Sequence, residues 1–232
     1  MIPTKFPASR WPWLPYVAPM FAFLVLTAAE DAAVRAAHDP NAYPIAYAIK
    51  IGLVVLVSLL CRDAWRDLKP RPSPVAIAIA IVLGLIVAAA WVGLDGLYPP
   101  IPFLGKRAGY DPAVLAPASR AAYLSARFFG LVLVVPLIEE LFWRSFLVRW
   151  LINPDFLAEP IGRVTAMAAA LTSIGFALEH PEWLPALLTG AAWAGLLWWS
   201  KSITACVISH AAANLALGLY VVKTGGEAWK FL

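Results

Sequence analysis

Charged residues are scarce in this sequence. They make up 14% of its 232 residues, whereas hydrophobic residues make up 62%. Soluble domains of this size do not normally show such a balance, and the mean hydropathy of +0.75 is typical of a protein crossed by several membrane helices. The apolar runs lack the alternation of a membrane β-barrel. The predicted fold class is therefore an all-α, polytopic transmembrane helical bundle.

Cysteine is also scarce, with only Cys61 and Cys206. Neither belongs to a CxxC cluster, so a disulfide or a thiolate–zinc site has little support. The net charge of +4 requires no nucleic-acid partner. Basic residues at loop ends are what membrane topology demands, and no basic patch with interleaved aromatics is present. We therefore expect a lipid bilayer around the protein and no nucleic acid.

Seven segments are apolar enough to form helices, because about 20 apolar residues span a bilayer at about 1.5 Å per residue. The predicted helices cover residues 13–33, 43–61, 75–94, 121–150, 164–178, 184–200 and 203–222. An eighth short element has room in the loop 99–118, which is rich in Pro and Gly. No internal repeat is visible, so we expect one integral membrane domain over residues 1–232.

Basic residues predict the orientation of the bundle. They crowd the link between the second and third helices, which places that link in the cytoplasm. The amino terminus then also lies in the cytoplasm, together with the link before the fifth helix and the turn at Lys201. The loop 95–120 falls outside. The residues used are Lys5, Arg10, Arg62, Arg66, Lys69, Arg71, Arg149 and Arg163, against Lys106, Arg107 and Arg120 in the outer loop.

Two adjacent glutamates, Glu139 and Glu140, lie inside the predicted fourth helix. A charge at membrane depth costs about 2.5–3.5 kcal/mol or more, so such residues usually pair or serve chemistry or transport. Glu140 and Arg144 are four residues apart and share a face, which predicts an ion pair. Glu139 is rotated about 100° from Glu140, which leaves it available.

Two later segments each contribute a histidine. Phe176 and His180 share a face near the end of the fifth helix, and Pro181 ends or kinks that helix. His210 and Asn214 share a face of the seventh helix, separated by three alanines that let a neighbouring helix approach. Apart from the helix of Lys50, no other predicted helix carries a charge at depth; for Lys50 we expect snorkelling or pairing rather than a direct role.

These side chains suit hydrolysis inside a membrane. A carboxylate and an imidazole can activate a water, and a second imidazole with an amide can donate hydrogen bonds to a developing oxyanion. Cys206 and Ser209 lie close to His210 in sequence, but neither is clearly placed beside a separate base, so a covalent nucleophile is less favoured.

Three motifs now stand in order: Glu139-Glu140-xxx-Arg144, Phe176-xxx-His180 and His210-xxx-Asn214. They resemble the EExxxR, FxxxH and HxxxN motifs of the CAAX prenyl protease and bacteriocin-processing family of intramembrane proteases, also called the Abi family. The similarity covers roughly residues 121–220, and the first three helices carry no family signature.

The resemblance implies a glutamate-type endopeptidase that cuts a membrane-associated protein or peptide and needs no cofactor or metal. By resemblance, Glu139 and His180 activate water, and His210 with Asn214 forms the oxyanion hole. Glu140, Arg144 and Phe176 support the site, which we expect in a cavity between the fourth, fifth and seventh helices. Two alternatives stay open: a zinc protease of the same fold, and a non-catalytic immunity or scaffold protein. Transport is weaker, and the oligomeric state is not determined by the sequence.

Overall fold

The computed structural model describes residues 11–37, 39, 41–105 and 109–232, and every regular element in these ranges is helical. The seven predicted helices are confirmed. They are α1 Leu14–Ala37, α2 Ala42–Leu60, α3 Pro74–Gly93, α4 Pro117–Trp150, α5 Ala166–Leu178, α6 Trp183–Ser200 and α7 Ile203–Thr224. In the loop after α3, the described residues form two short 3₁₀ turns, Pro102–Leu104 and Pro112–Val114, rather than an eighth helix of any length.

Local chemistry explains several helix starts. The hydroxyl of Ser73 accepts a hydrogen bond from the Ala76 amide at 3.2 Å, and Pro74 follows as the first residue of α3. Thr165 and Ser202 cap α5 and α7 in the same way. A hydroxyl at this position satisfies one of the amides that the first helical turn leaves without a partner. Polar capping residues therefore set the boundaries between continuous apolar runs.

Five of the helices, namely α1 to α4 and α7, are long and apolar enough to cross a membrane by length and composition. The helix α5 is shorter, with 13 residues, or about 20 Å at 1.5 Å per residue. Large apolar side chains such as Val75 and Val82 of α3 are exposed on the outside of the bundle. Outward-facing apolar surface of this extent matches a lipid environment, and the protein is an integral membrane protein.

The helices α3 and α7 pack at very short distance. A Cβ atom added at Gly84 of α3 would lie 2.3 Å from the backbone oxygen of Ser209 and 2.9 Å from the Cβ of Ala212. Only glycine permits this approach, and the alanines after His210 provide the matching surface, as predicted. This contact holds α7 against the centre of the bundle.

At one end of the bundle, the carboxylate of Asp67 connects side chains from different helices. Asp67 lies in the link between α2 and α3. It accepts hydrogen bonds from Tyr16 at 2.7 Å and from Ser145 at 2.7 Å, and it pairs with Arg149. The same end holds Lys201. At the opposite end, Lys230 pairs with Asp95 at 2.6 Å.

The basic links that we predict to be cytoplasmic thus lie together at one end. Lys5, Arg10, Lys106 and Arg107, which also entered that prediction, lie outside the described residues.

Candidate active site

The helix α4 departs from α-helical geometry on both sides of the glutamate pair. Residues Gly130–Val134 and Leu141–Leu147 form π-helical turns that flank the α-helical segment Val135–Glu140. Pro136 has no amide hydrogen, and the Val135 amide bonds to Gly130 instead of Leu131. The carbonyl of Leu131 is consequently left without its usual helical donor. Such π turns are rare and often mark functional sites.

Asn214 of α7 supplies the missing donor. Its Nδ2 donates to the Leu131 oxygen at 2.8 Å. This hydrogen bond ties α7 to the π turn that precedes Glu139. An asparagine amide has two hydrogens, so one remains for another acceptor while the first holds the two helices together.

Glu140 is the centre of a buried charge network. Its Oε2 lies 3.3 Å from Nε of Arg144, which is the predicted ion pair, and its Oε1 lies 3.0 Å from Nδ1 of His210. The side chains of Glu140 and Arg144 are 0% and 2% exposed. The buried carboxylate therefore faces Arg144 with one oxygen and His210 with the other. The network joins α4 to α7, because Glu140 and Arg144 belong to α4 and His210 belongs to α7.

Aromatic rings enclose this network. The guanidinium of Arg144 lies over the rings of Phe176 and Trp193, at 4.9 and 5.1 Å from their centroids. Trp193 also stacks on His210 with centroids 4.3 Å apart. Its indole nitrogen donates to the hydroxyl of Ser209 at 3.0 Å. Arg144 and His210 are therefore held in fixed orientations from α4, α5, α6 and α7.

His180 lies just beyond the end of α5. Its Nδ1 is 2.8 Å from the backbone oxygen of Phe176. A carbonyl oxygen only accepts hydrogen bonds, so Nδ1 carries the hydrogen and Nε2 bears the lone pair of the neutral ring. Trp91 of α3 packs edge-on against the imidazole at 5.4 Å between centroids. This arrangement fixes the tautomer that a general base requires.

One cavity of about 580 Å³ is lined by all four residues to which catalytic roles were attributed. These are Glu139, His180, His210 and Asn214. The cavity is larger than expected, since α1, α2, α3 and α6 also line it beside α4, α5 and α7. Ser209 and Cys206 are buried but are not among its lining residues.

One buried charge elsewhere in the cavity, Glu30, corrects the sequence analysis, whereas the pairing of Lys50 agrees with the expectation. Lys50 of α2 forms an ion pair with Glu30 of α1, and both side chains are buried. The expectation that no helix other than that of Lys50 carries a charge at depth was therefore wrong. Glu30 lies within the predicted helix 13–33, but the composition of that segment did not show that this carboxyl group is buried. Arg127, within the predicted fourth helix, was missed as well and lines the same cavity.

Glu179, next to His180, also lines the cavity and is half-buried rather than part of a solvated loop. Burial raises the pKa of its carboxyl to about 7, against the opposing effects of the Trp143 side chain and the Arg144 charge. Glu179 is thus a carboxyl group at the site that can change its protonation state near neutral pH.

Within the residues that the structure describes, no group of three or more His, Cys, Asp or Glu side chains is arranged to hold a metal ion. The two histidines of the motifs are instead engaged with Phe176 and Glu140. Both contacts are made by Nδ1, so they leave Nε2 of each ring for another interaction.

Part of the chain is similar to a known protein family. Residues 121–216 match the family Rce1-like, described as type II CAAX prenyl endopeptidase Rce1-like. Neither the curated proteins nor the solved structures contain a match to this chain. The matched segment runs from α4 into α7 and contains all three motifs. Over this part of its length the chain is similar to the CAAX prenyl endopeptidase family that its motifs resemble, and the similarity supports a CAAX-type intramembrane protease.

Proposed function

We propose that the protein is a glutamate-type intramembrane endopeptidase that hydrolyses a peptide bond of a membrane-associated protein or peptide. The observation that carries the proposal is the shared cavity. Glu139, His180, His210 and Asn214 come from three different helices and line it together. Ionisable residues in membrane proteins are retained at such depth mainly for chemistry or transport, and the family match favours proteolysis.

In this proposal Glu139 and His180 activate the attacking water. The neutral His180 ring carries its lone pair on Nε2, because Nδ1 donates to Phe176. One proton of the water passes to the pair formed by the Glu139 carboxylate and the His180 imidazole. The resulting hydroxide attacks the carbonyl carbon of the peptide bond. The same proton then passes to the leaving amine as the tetrahedral intermediate collapses. Glu179 faces this end of the cavity and adds a nearby negative charge when it is ionised.

His210 and Asn214 would stabilise the oxyanion. Asn214 has one amide hydrogen left after its bond to Leu131. His210 donates from Nδ1 to the Glu140 carboxylate, so it donates through Nε2 only when the ring is protonated at both nitrogens. Glu140 and Arg144 therefore serve as positioning residues in this mechanism, and Phe176 holds both Arg144 and His180.

We further propose that the whole chain forms one membrane domain with the Asp67 end of the bundle in the cytoplasm. That end gathers Arg62, Arg66, Lys69 and Arg149, and the excess of basic residues there agrees with the positive-inside rule. His180 then lies toward the opposite end of the bundle, beyond the end of α5.

The proposed function is tested with the purified protein in phosphatidylcholine vesicles and a fluorogenic peptide carrying a prenylcysteine. We expect cleavage by the wild-type protein and none by Glu139→Gln. The matched control is Glu159→Gln, because Glu159 lies outside the cavity and pairs with Arg163. Cleavage that survives Glu139→Gln would refute the glutamate mechanism. Binding of the peptide without cleavage by any variant would favour a non-catalytic protein.

A further inference from the structure

The hydroxyl of Thr189, on α6, is bonded differently from several other hydroxyls inside the helices. Those of Thr27, Thr172 and Ser173 each donate to the backbone oxygen four residues earlier, at 2.6–2.8 Å. The Thr189 hydroxyl instead accepts a hydrogen bond from the indole nitrogen of Trp91 at 3.0 Å. Among the described residues, its own hydrogen has no acceptor. A hydroxyl can donate one hydrogen bond, so Thr189 retains this donor.

The unused donor is buried and faces the site. Thr189 is 3% exposed and lines the same cavity as Glu139 and His180. The bond from Trp91 occupies one lone pair of the hydroxyl oxygen, so the hydrogen points away from the indole. A buried donor without an acceptor is costly. The cavity is therefore where an acceptor from outside the chain would satisfy this hydrogen.

Thr189 stands between the two histidines of the site. On one side, Trp91 packs edge-on against His180 with centroids 5.4 Å apart. On the other side, Trp193 stacks on His210 with centroids 4.3 Å apart. Thr189 and Trp193 are four residues apart on α6, so they share a face, and both line the cavity. The helix α6 thus presents a hydroxyl hydrogen to the space between the two imidazole rings.

The chemistry of this space indicates the acceptor. A peptide that enters the cavity loses water from its backbone oxygens, and each of them then needs a donor. A neutral hydroxyl suits a neutral carbonyl oxygen. The attacking water suits it less, because this water gives its hydrogens to Glu139 and His180 and must keep a lone pair for the attack.

We propose that Thr189 binds the peptide substrate by donating a hydrogen bond to a backbone carbonyl oxygen beside the cleaved bond, and that Trp91 orients its hydroxyl. The proposal rests on the proposed function, which places a peptide between His180 and His210. Thr189 is then a substrate-binding residue and Trp91 a positioning residue. Neither belongs to the three motifs, so the sequence pattern alone does not mark them.

The test measures binding by the Glu139→Gln protein in phosphatidylcholine nanodiscs. The probes are a fluorescent prenylcysteine peptide and versions in which sulfur, a weak acceptor, replaces one backbone oxygen on either side of the cleaved bond. We expect sulfur at one position to weaken binding about 2- to 10-fold, the range of a neutral hydrogen bond. Adding Thr189→Val should weaken binding of the oxygen peptide by a similar factor and remove the effect of sulfur. Adding Thr189→Ser should keep that effect.

The matched control is Thr172→Val. Thr172 is also 3% exposed, but its hydroxyl donates to the Ala168 oxygen at 2.8 Å and it is not among the residues lining the cavity. This variant should bind all the peptides as the Glu139→Gln parent does. Trp91→Phe keeps a ring against His180 and removes the indole donor. It should lose part of the sulfur effect.

Three results would overturn the proposal. They are unchanged affinity in Thr189→Val, a sulfur effect of the same size with and without Thr189, and no effect of sulfur at any position, including no binding at all. The second result would assign the hydroxyl to packing or to a structural water. Failure of the proposed function has a different signature. Turnover retained by Glu139→Gln would refute the glutamate mechanism, and the sulfur effect and its dependence on Thr189 would then be read from KM.

Discussion

Replacing Glu140 with alanine should destabilise the protein strongly, because it removes the partner of two other buried groups. Arg144, which is 2% exposed, would lose its carboxylate, and His210 would lose the acceptor of its Nδ1 hydrogen. Removing one member of a buried ion pair costs about 3–5 kcal/mol. For a chain of this size, about 1 kcal/mol shifts Tm by about 2–4 °C. We therefore expect Tm to fall by about 6–20 °C.

The chain contains a matched control for this change. Glu159 and Arg163 form a second glutamate–arginine pair with the same four-residue spacing, but Arg163 is 57% exposed. Glu159→Ala leaves its arginine in solvent, where such a pair is worth about 0–1 kcal/mol. Its Tm should fall by less than about 4 °C, measured by tryptophan fluorescence during heating in detergent.

A double variant isolates the role of the stranded charge. Glu140→Ala combined with Arg144→Leu should recover part of the lost Tm, because no buried cation then remains unpaired. Two results would refute the reasoning. One is an equal loss of Tm in Glu140→Ala and Glu159→Ala, and the other is a double variant that is less stable than Glu140→Ala alone.

Three further predictions concern catalysis and pH. Asn214→Ala should lower kcat by about 100- to 1000-fold, as loss of an oxyanion donor does; an unchanged kcat would limit the amide to its Leu131 bond. Activity should survive exhaustive chelation with no stoichiometric zinc in the protein by elemental analysis, and recovery of a chelated, inactive sample with one equivalent of zinc would contradict this. Burial raises the pKa of Glu179 to about 7 from its usual 4.5, so the folded protein holds a proton that the unfolded chain releases between these values. This contribution to stability is present below pH 4.5 and is lost as the pH rises through about 7. Tm should therefore fall between pH 5 and pH 8, and Glu179→Gln should flatten this part of the profile; identical profiles would refute the assignment.

The number of helices and the Glu140–Arg144 pair could be predicted because both depend on local sequence. Helix count follows from the length of apolar runs, and the ion pair follows from a spacing of four residues on one helix. The contact between Glu140 and His210 joins α4 to α7. No periodicity encodes such a contact, because it depends on how two helices pack. The sequence motifs placed both residues near the site but did not show that they touch.

The partner of Lys50 and the position of Arg127 in the cavity could not be predicted for a related reason. Glu30 and Lys50 lie on separate helices, so their pairing becomes visible only when α1 packs against α2. Arg127 lies in a segment whose composition predicts one continuous helix. The π turn beside it had a signal in Pro136, whose missing amide hydrogen disturbs the helical bonding pattern.

The π turn at Gly130–Val134 has a consequence for how this chain tolerates insertions and deletions. In a regular α-helix, residues twelve positions apart point about 120° away from each other. Arg127 and Glu139 nevertheless line the same cavity, because the wider turn between them changes the rotation of the helix. Deleting a single residue within this turn would restore regular bonding and swing both glutamates relative to Arg127. Evolution or engineering that shortens α4 here by one residue should therefore disable the site, whereas the loop at 95–105 can change length without altering that alignment.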